Sequence, residues 1–265
     1  TLTVQTLIDG SIKLATTSVT EEATTVIAAL ASLEPSALSA LANGVAPVTI
    51  VATVVDQSGN ALAGEVVNWR ADKTTVLLSE SKTTTNAKGE ASVTLTSNEV
   101  VDALVTATLE KGSSLSTPTI KFIADTASAQ VKSVSPDKKQ VVANNSDSVT
   151  YTARVADSSD HPLENVTVNW DVKREDGTSE GGKTSVSERA GNATLSLASA
   201  KTGVAYVYAD VNQKNAVKAE GVTFVADTST QRVDTVESNK KEAVANGSDS
   251  LVYTAKIVDL QGNPI

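Results

Sequence analysis

The chain repeats itself about once every hundred residues, and that interval narrows the folds open to it more than any single motif does. Trp69 and Trp170 stand 101 residues apart, while Gly89 and Gly191, Phe122 and Phe224, and Asp157 and Asp259 each stand 102 apart. Solenoid repeats run roughly 20 to 50 residues, whereas about 100 residues is enough for a whole two-layer β-sandwich. Each copy therefore reads as a domain.

What repeats is a strand pattern. Val48, Ile50, Ala52 and Val54 alternate with Thr49, Val51, Thr53 and Val55, the period-2 signature of a strand with one buried face. The run ends at Asp56 and turns through Gly59-Asn60, residue types that accept positive φ at little cost. Alternation resumes at Val66-Val67-Asn68-Trp69. The second copy reads Val149, Tyr151, Ala153, Val155, Asp157, a turn through Ser159-Asp160-His161-Pro162, and Trp170. The third reads Leu251, Tyr253, Ala255, Ile257, Asp259 and Gly262-Asn263.

Taken in order, residues 1–25 match the closing strands of the later copies, with Leu7-Ile8-Asp9-Gly10 answering to Leu109-Glu110-Lys111-Gly112 and Ser18-Val19-Thr20 to Gly221-Val222-Thr223. Glu21 and Glu22 depart from the pattern, because they stand where Phe122 and Phe224 stand later. Residues 26–126 form the first complete domain. It runs from an edge strand at Leu33-Glu34-Pro35-Ser36, where Pro is tolerated, through the turns Ala42-Asn43-Gly44 and Asn86-Ala87-Lys88-Gly89, to Ile120-Lys121-Phe122. Residues 127–228 repeat every element, and 229–265 hold the opening strands of a further copy. Linkers of a few residues, Ala124–Ala129 and Ala226–Thr230, leave little slack and predict domains lined up as an elongated rod. The two incomplete ends are expected to fray or to pair with a neighbouring molecule. The fold class is thus all-β, a tandem of sandwiches.

Composition bounds the chemistry. Aromatic residues make up 3% of 265 residues, so each interior must be built from aliphatic side chains around one Trp. The expected core anchors are Trp69, Trp170, Tyr151, Phe122 and Phe224. Cysteine is absent, which fits the cytosol or bacterial export and is unusual for a secreted animal domain of this kind. Methionine is absent too, so Thr1 reads as the start of a fragment or a processed product. The net charge of −9, without a Lys or Arg run, reads as solubility and carries no nucleic-acid footprint. Val26-Ile27-Ala28-Ala29-Leu30-Ala31, the longest apolar stretch near the start, falls far short of the roughly 20 residues that span a bilayer, so the piece is not expected to enter a membrane by itself.

Ala-Asn-Gly before the long strand, Val-Asp-x-x-Gly-Asn-x-Leu/Ile after it, x-Val-x-Trp, Asn/Asp-x-x-Gly-x-Ala-x-Val-x-Leu and a closing Val-Thr-Phe recur in fixed order. In this chain they stand at Ala42-Asn43-Gly44, Val55-Asp56 with Gly59-Asn60, Trp69 and Asn86 to Leu95, and again at Ala143-Asn144, Asp157, Trp170, Gly191 to Leu197 and Val222-Thr223-Phe224. The third copy contributes Ala245-Asn246-Gly247, Asp259 and Gly262-Asn263. Departures are Asn145 for Gly, Ser159-Asp160 for Gly-Asn, and Ile120-Lys121-Phe122 for Val-Thr-Phe. Across essentially its whole length the chain resembles the group 1 bacterial immunoglobulin-like domain, the stalk unit of intimin- and invasin-type adhesins, which are inverse autotransporters. The resemblance implies immunoglobulin-like sandwiches on the bacterial cell surface, anchored by an outer-membrane β-barrel lying N-terminal to this piece. A receptor-binding tip would lie beyond the C-terminal end, and host-cell or neighbouring-cell receptors would be partners of the parent protein, with this segment monomeric.

No catalytic residues, cofactor or metal ligands are expected. His161 is the single histidine, so neither a His-containing metal cluster nor a Ser-His-Asp triad can be assembled, and it reads as turn filler. Trp69 and Trp170 are candidates for sugar stacking or, on the alternation around them, for core packing. Asp125 and Asp227 in the linkers invite the idea of interdomain calcium, but hard cations want six to eight oxygens and the supply is thin. Arg174-Glu175-Asp176-Gly177 reads as a solvated hairpin tip. Two functions stay open. One is a structural spacer for adhesion or biofilm formation; the other has the domains themselves bind a host receptor, a glycan or like domains on neighbouring cells.

Overall fold

The computed structural model describes residues 2–17, 26–110 and 112–265. Apart from two single-turn 3-10 helices, Thr126–Ser128 and Thr228–Thr230, its regular structure is all β.

The first complete repeat is a two-layer sandwich. One layer orders Ala29–Pro35, Val48–Val55, Glu90–Ser97 and Val76–Leu78, all antiparallel. Opposite it, Ser114–Ser116, Val105–Leu109, Val66–Ala71 and Lys82–Thr84 pair in that order. The closing strand Ile120–Ile123 runs parallel to the short Ser39–Leu41 and antiparallel to Val101–Ala103. The chain thus crosses from one layer to the other between Pro35 and Ser39, which closes the sandwich at its opening edge. The second repeat has the same plan: Gln130–Pro136, Ser148–Ala156 and Asn192–Ala198 face a sheet ordered Gln140–Val142, Val222–Val225, Gly203–Val211, Thr167–Arg174 and Ser179–Val186. Lys214–Lys218 pairs back on Gly203–Val211.

Burial follows the alternation. Val48, Ile50, Ala52 and Val54 are fully buried, as are Val149, Tyr151, Ala153 and Val155 one repeat later. Each repeat has its own apolar cluster, and no residue belongs to both. An aliphatic interior of this kind is held by area: each buried Val, Leu or Ile contributes about 1.5–3 kcal/mol relative to exposure. The bulge in the opening strand also recurs, with register shifts at Leu30/Ser32, Val131/Ser133 and Val233/Thr235. A bulge bends a strand and raises its twist, so three copies of it give the opening strand one repeated local shape.

The remaining described segments form hairpins. Leu2–Ile8 pairs with Ser11–Thr17 around Asp9-Gly10, both at positive φ. The expected strand at Ser18-Val19-Thr20, with Glu21 and Glu22, lies outside the described residues. Arg232–Ser238 pairs with Tyr253–Val258, and Val233, Val236 and Tyr253 are open, Tyr253 at 66% exposed where Tyr151 is fully buried, while Val258 at the junction end is buried. Val76–Leu78 and Lys82–Thr84, in the Thr- and Ser-rich stretch between Trp69 and the Asn86–Gly89 turn, are short edge elements. Three residues are too few for alternation to register.

Candidate interdomain junction

The five core anchors lie inside the sandwiches: Trp69 is 5% exposed, Trp170, Phe122 and Phe224 1% each, and Tyr151 is fully buried. Each indole N–H donates to a hydroxyl on the neighbouring strand of its own sheet, Trp69 Nε1 to Thr83 Oγ1 at 2.7 Å and Trp170 Nε1 to Ser185 Oγ at 2.8 Å. A buried indole N–H without an acceptor would be costly, so Thr83 and Ser185 complete these cores. Both ring systems therefore face inward, away from any sugar.

The chemistry of the chain concentrates where one sandwich meets the next. The Ser148–Ala156 strand ends at Asp157, whose carboxylate folds the following turn onto itself: Oδ1 accepts from the Ser159 and His161 N–H groups at 2.9 Å each. Oδ2 accepts from the Asp125 N–H in the linker at 3.0 Å and faces His161 Nδ1 at 3.0 Å. On the other side of the ring, His161 Nε2 lies 2.7 Å from the carbonyl oxygen of Asn98, in the preceding sandwich. The linker residue Ser128 adds a third tie, its Oγ accepting from Ser158 N–H at 3.1 Å.

The next junction is built from the same parts. Asp259 Oδ1 accepts from the Gln261 and Asn263 N–H groups, and Oδ2 accepts from the Asp227 N–H at 3.1 Å and from Asn263 Nδ2 at 2.8 Å. Asn263 Nδ2 also donates to the Ala200 carbonyl at 2.9 Å, and its Oδ1 accepts from Thr202 N–H at 3.2 Å. Thr230 takes the part of Ser128, its Oγ1 accepting from Leu260 N–H. Asn263 thus does with a side-chain amide what His161 does with an imidazole. The first copy of the motif, Asp56 with Asn60, keeps the turn: Asp56 accepts from Ser58 N–H, Asn60 N–H and Asn60 Nδ2.

His161 is therefore more than turn filler. It occupies the turn, but it is 8% exposed and bonds across 63 residues of sequence. The sequence carried a signal for this, an Asp followed four residues later by Asn or His, three times at the repeat spacing. Asn98 carried none, since it contributes only its carbonyl. Asp125 and Asp227 cap the 3-10 turns of the linkers, their Oδ1 atoms accepting from Ala127 and Ser229 N–H. Among the described residues no cluster of three or more His, Cys, Asp or Glu is placed to hold a metal ion. Arg174 is not a free hairpin tip: its guanidinium pairs with Glu180 at 3.0 Å and lies over the Phe224 ring.

Charge tunes the junction. Burial pushes the Asp157 carboxyl up, but the N–H groups of Asp125 and His161 and the His161 ring outweigh it and hold it below the ordinary carboxylate range. Burial likewise pushes His161 down, yet Asp157, the Asn98 carbonyl and Glu99 together hold it above the ordinary histidine value.

One surface feature escaped the strand reading. Tyr206 and Tyr208 alternate with buried Val207 and Ala209 and so lie half-exposed on the outer face of their sheet. Lys218 Nζ sits 4.0 Å from the Tyr206 ring centre and Lys173 Nζ 4.8 Å from that of Tyr208.

Comparison with known proteins places this architecture. The family described as bacterial Ig-like domain (group 1) matches residues 30–123 and 131–225. The inverse autotransporter adhesin YeeJ of Escherichia coli strain K12 is 31% identical over 82% of this chain, which covers 9% of that protein. Intimin of Citrobacter freundii is 31% identical over 79% of this chain, which covers 21% of that protein, and intimin of Escherichia coli O127:H6 is 35% identical over 50%, covering 14%. The chain spans about a fifth or less of the length of these relatives. Among solved structures, the Escherichia coli adhesin FdeC aligns with a TM-score of 0.55 at 18% identity, over 92% of this chain and 78% of its own. InvD of Yersinia pseudotuberculosis aligns at 0.54 and 18%, over 90% and 72%. These two likenesses concern the fold alone. With two consecutive matches to one family and relatives that are adhesins, this chain belongs to the group 1 bacterial Ig-like domains, as an Ig-like region of the kind found in intimin and inverse autotransporter adhesins.

Proposed function

We propose that this chain is an extracellular spacer in a bacterial surface adhesin, a rod of Ig-like domains that holds a distal binding tip away from the cell for adhesion or biofilm formation. The domains within it are 26–126 and 127–228, with 1–25 closing a preceding sandwich and 229–265 opening a following one. A part of the parent protein N-terminal to this segment anchors it in the outer membrane, and receptor contacts on host or neighbouring cells belong to the tip. In this reading the segment carries out no reaction, takes no cofactor and is monomeric.

The observation that carries the reading is the junction. A linker of a few residues, already folded into a capped 3-10 turn, is tied to the next sandwich by a buried aspartate and a bridging side chain, and the arrangement occurs twice. Such ties resist bending between neighbours, which a spacer needs and an independently binding module does not. The test is attachment of the isolated fragment to host cells and to bacteria expressing the parent. A spacer shows no saturable attachment at micromolar concentration, and saturable attachment overturns the proposal.

The alternative, that the domains themselves bind a receptor, a glycan or like domains, has one observation in its favour. Tyr206 and Tyr208 form an aromatic, lysine-flanked face on the second sandwich, where the first presents Leu104 and Thr106 at the corresponding positions. If attachment is seen, its loss in Tyr206→Ser/Tyr208→Ser identifies that face.

A further inference from the structure

The two junctions use different side chains for one task, and the difference has consequences for protons. Asn263 offers two amide hydrogens on one nitrogen, one to the Ala200 carbonyl and one to Asp259, and an amide keeps both at any ordinary pH. His161 spans the same gap with two separate nitrogens, each facing an oxygen that can only accept: the ionised Asp157 carboxylate at 3.0 Å and the Asn98 carbonyl at 2.7 Å. A neutral imidazole has one N–H. It can satisfy one of the two acceptors, and at the other it presents a lone pair to an oxygen.

We propose that His161 is a proton-operated pin between the first and second sandwiches: with both ring nitrogens protonated it ties the domains together, and on losing a proton it releases the bond to Asn98. The proton lost is the one on Nε2. Nδ1–H faces a carboxylate, a stronger acceptor than an amide carbonyl, so the neutral tautomer keeps that bond and turns a bare Nε2 toward Asn98. The bond within the turn survives and the bond across the junction does not.

The surroundings favour the charged ring. Asp157 comes from its own turn, Glu99 from the preceding sandwich, and Asp125 from the linker, its N–H sharing Asp157 Oδ2 with the ring. Asp160 is held to the solvent side by Arg154 at 2.7 Å and Lys132 at 3.9 Å. The adjoining turn adds Glu188 and Arg189, both exposed and opposite in charge. The closed junction therefore belongs to the more acidic side of the titration and loosens as pH rises through the ring's folded value. The junction at Asn263 has no such dependence. This inference stands on the contact geometry and holds whether the segment is a spacer or binds a ligand itself.

Because the chain has one histidine and no cysteine, the test is direct. The imidazole of the full chain is titrated by NMR, and spin labels on Ser92→Cys and Ser196→Cys, one on each sandwich, report the distance distribution at about pH 5.5 and about pH 9, either side of an ordinary histidine. The expected results are a ring that titrates above the ordinary histidine value, a narrow distribution in acid and a broad one in base. His161→Asn, which copies the neighbouring junction, should give one width at both pH values. A ring that titrates at or below the ordinary value overturns the proposal without any variant. So does a wild-type distribution that does not change, or a pH response that persists in His161→Asn.

Discussion

Asp157→Ala probes whether the junction carries stability or merely touches. The carboxylate accepts four hydrogen bonds, and hydrogen bonds to charged groups contribute about 1.5–3 kcal/mol each when a partner is removed. They do not sum, because the exposed Ser159 N–H turns to water at little cost. The Asp125 and His161 N–H groups and the His161 ring cannot do so without opening the junction. Counting those at the low end gives a loss of about 4 kcal/mol, or at about 4 °C per kcal/mol for a domain of this length a fall of about 15 °C in the second sandwich's Tm. With one tryptophan per sandwich, Trp170 fluorescence in a Trp69→Phe background follows that domain alone. The control is Asp56→Ala, which removes the same turn bonds from a copy of the motif whose partners among the described residues all lie within the turn, and is followed through Trp69 in a Trp170→Phe background; its fall should be clearly smaller. If the two variants lower their own domains equally, the cross-junction bonds contribute nothing and the argument for a stiff linkage fails.

Four further outcomes are expected. Tyr151→Phe should raise the second domain's stability by about 1 kcal/mol in urea titration, because its buried hydroxyl has no hydrogen-bond partner among the described residues and is pushed up to about 12 by burial; a loss would mean that the hydroxyl is satisfied in solution. Gly191→Ala should cost distinctly more than Gly59→Ala. Both glycines have positive φ, worth about 1–2 kcal/mol for alanine, but an added Cβ at Gly191 would lie 2.4 Å from the Val155 carbonyl, whereas at Gly59 it meets nothing. Thr83→Val, followed by Trp69 fluorescence, should cost about 1–3 kcal/mol by stranding the indole N–H. Finally, the first junction should hold best at intermediate pH. Asp157 is held below its ordinary value, so its contribution is present above about pH 4 and lost as pH falls through the folded value. His161 is held above its own, so its contribution is full below about pH 6.5 and lost as pH rises through the folded value. Calorimetry across that range should show a maximum that His161→Asn flattens on its alkaline side.

Much of the architecture was legible because it depends on local periodicity. Strict alternation at Val48–Val55 specifies a face whatever packs against it, and recurrence at about a hundred residues separates domain from repeat. Short edge strands such as Lys82–Thr84 were not legible, since three residues hold too few alternations and their pairing is imposed by Val66–Ala71. The partners of the two indoles were equally hidden. Nothing around Thr83 or Ser185 in sequence marks them among many Ser and Thr residues, and only the register of the paired strands within each sheet selects them. Tyr206 and Tyr208, unlike the five aromatic core anchors, occupy the outward phase of a strand whose inward phase is Val and Ala.

From the sequence alone follow an all-β chain of successive Ig-like domains, the inward face of each long strand, and Trp69 and Trp170 as the large residues around which aliphatic cores close, because hydrophobic burial is read residue by residue along one strand. Tertiary structure alone decided what joins the domains. Asp157 and Asn98 acquire meaning when one sandwich is set against the end of the next, and His161 changes from an ordinary turn residue to a bridge only because that placement brings acceptor oxygens to both sides of its ring.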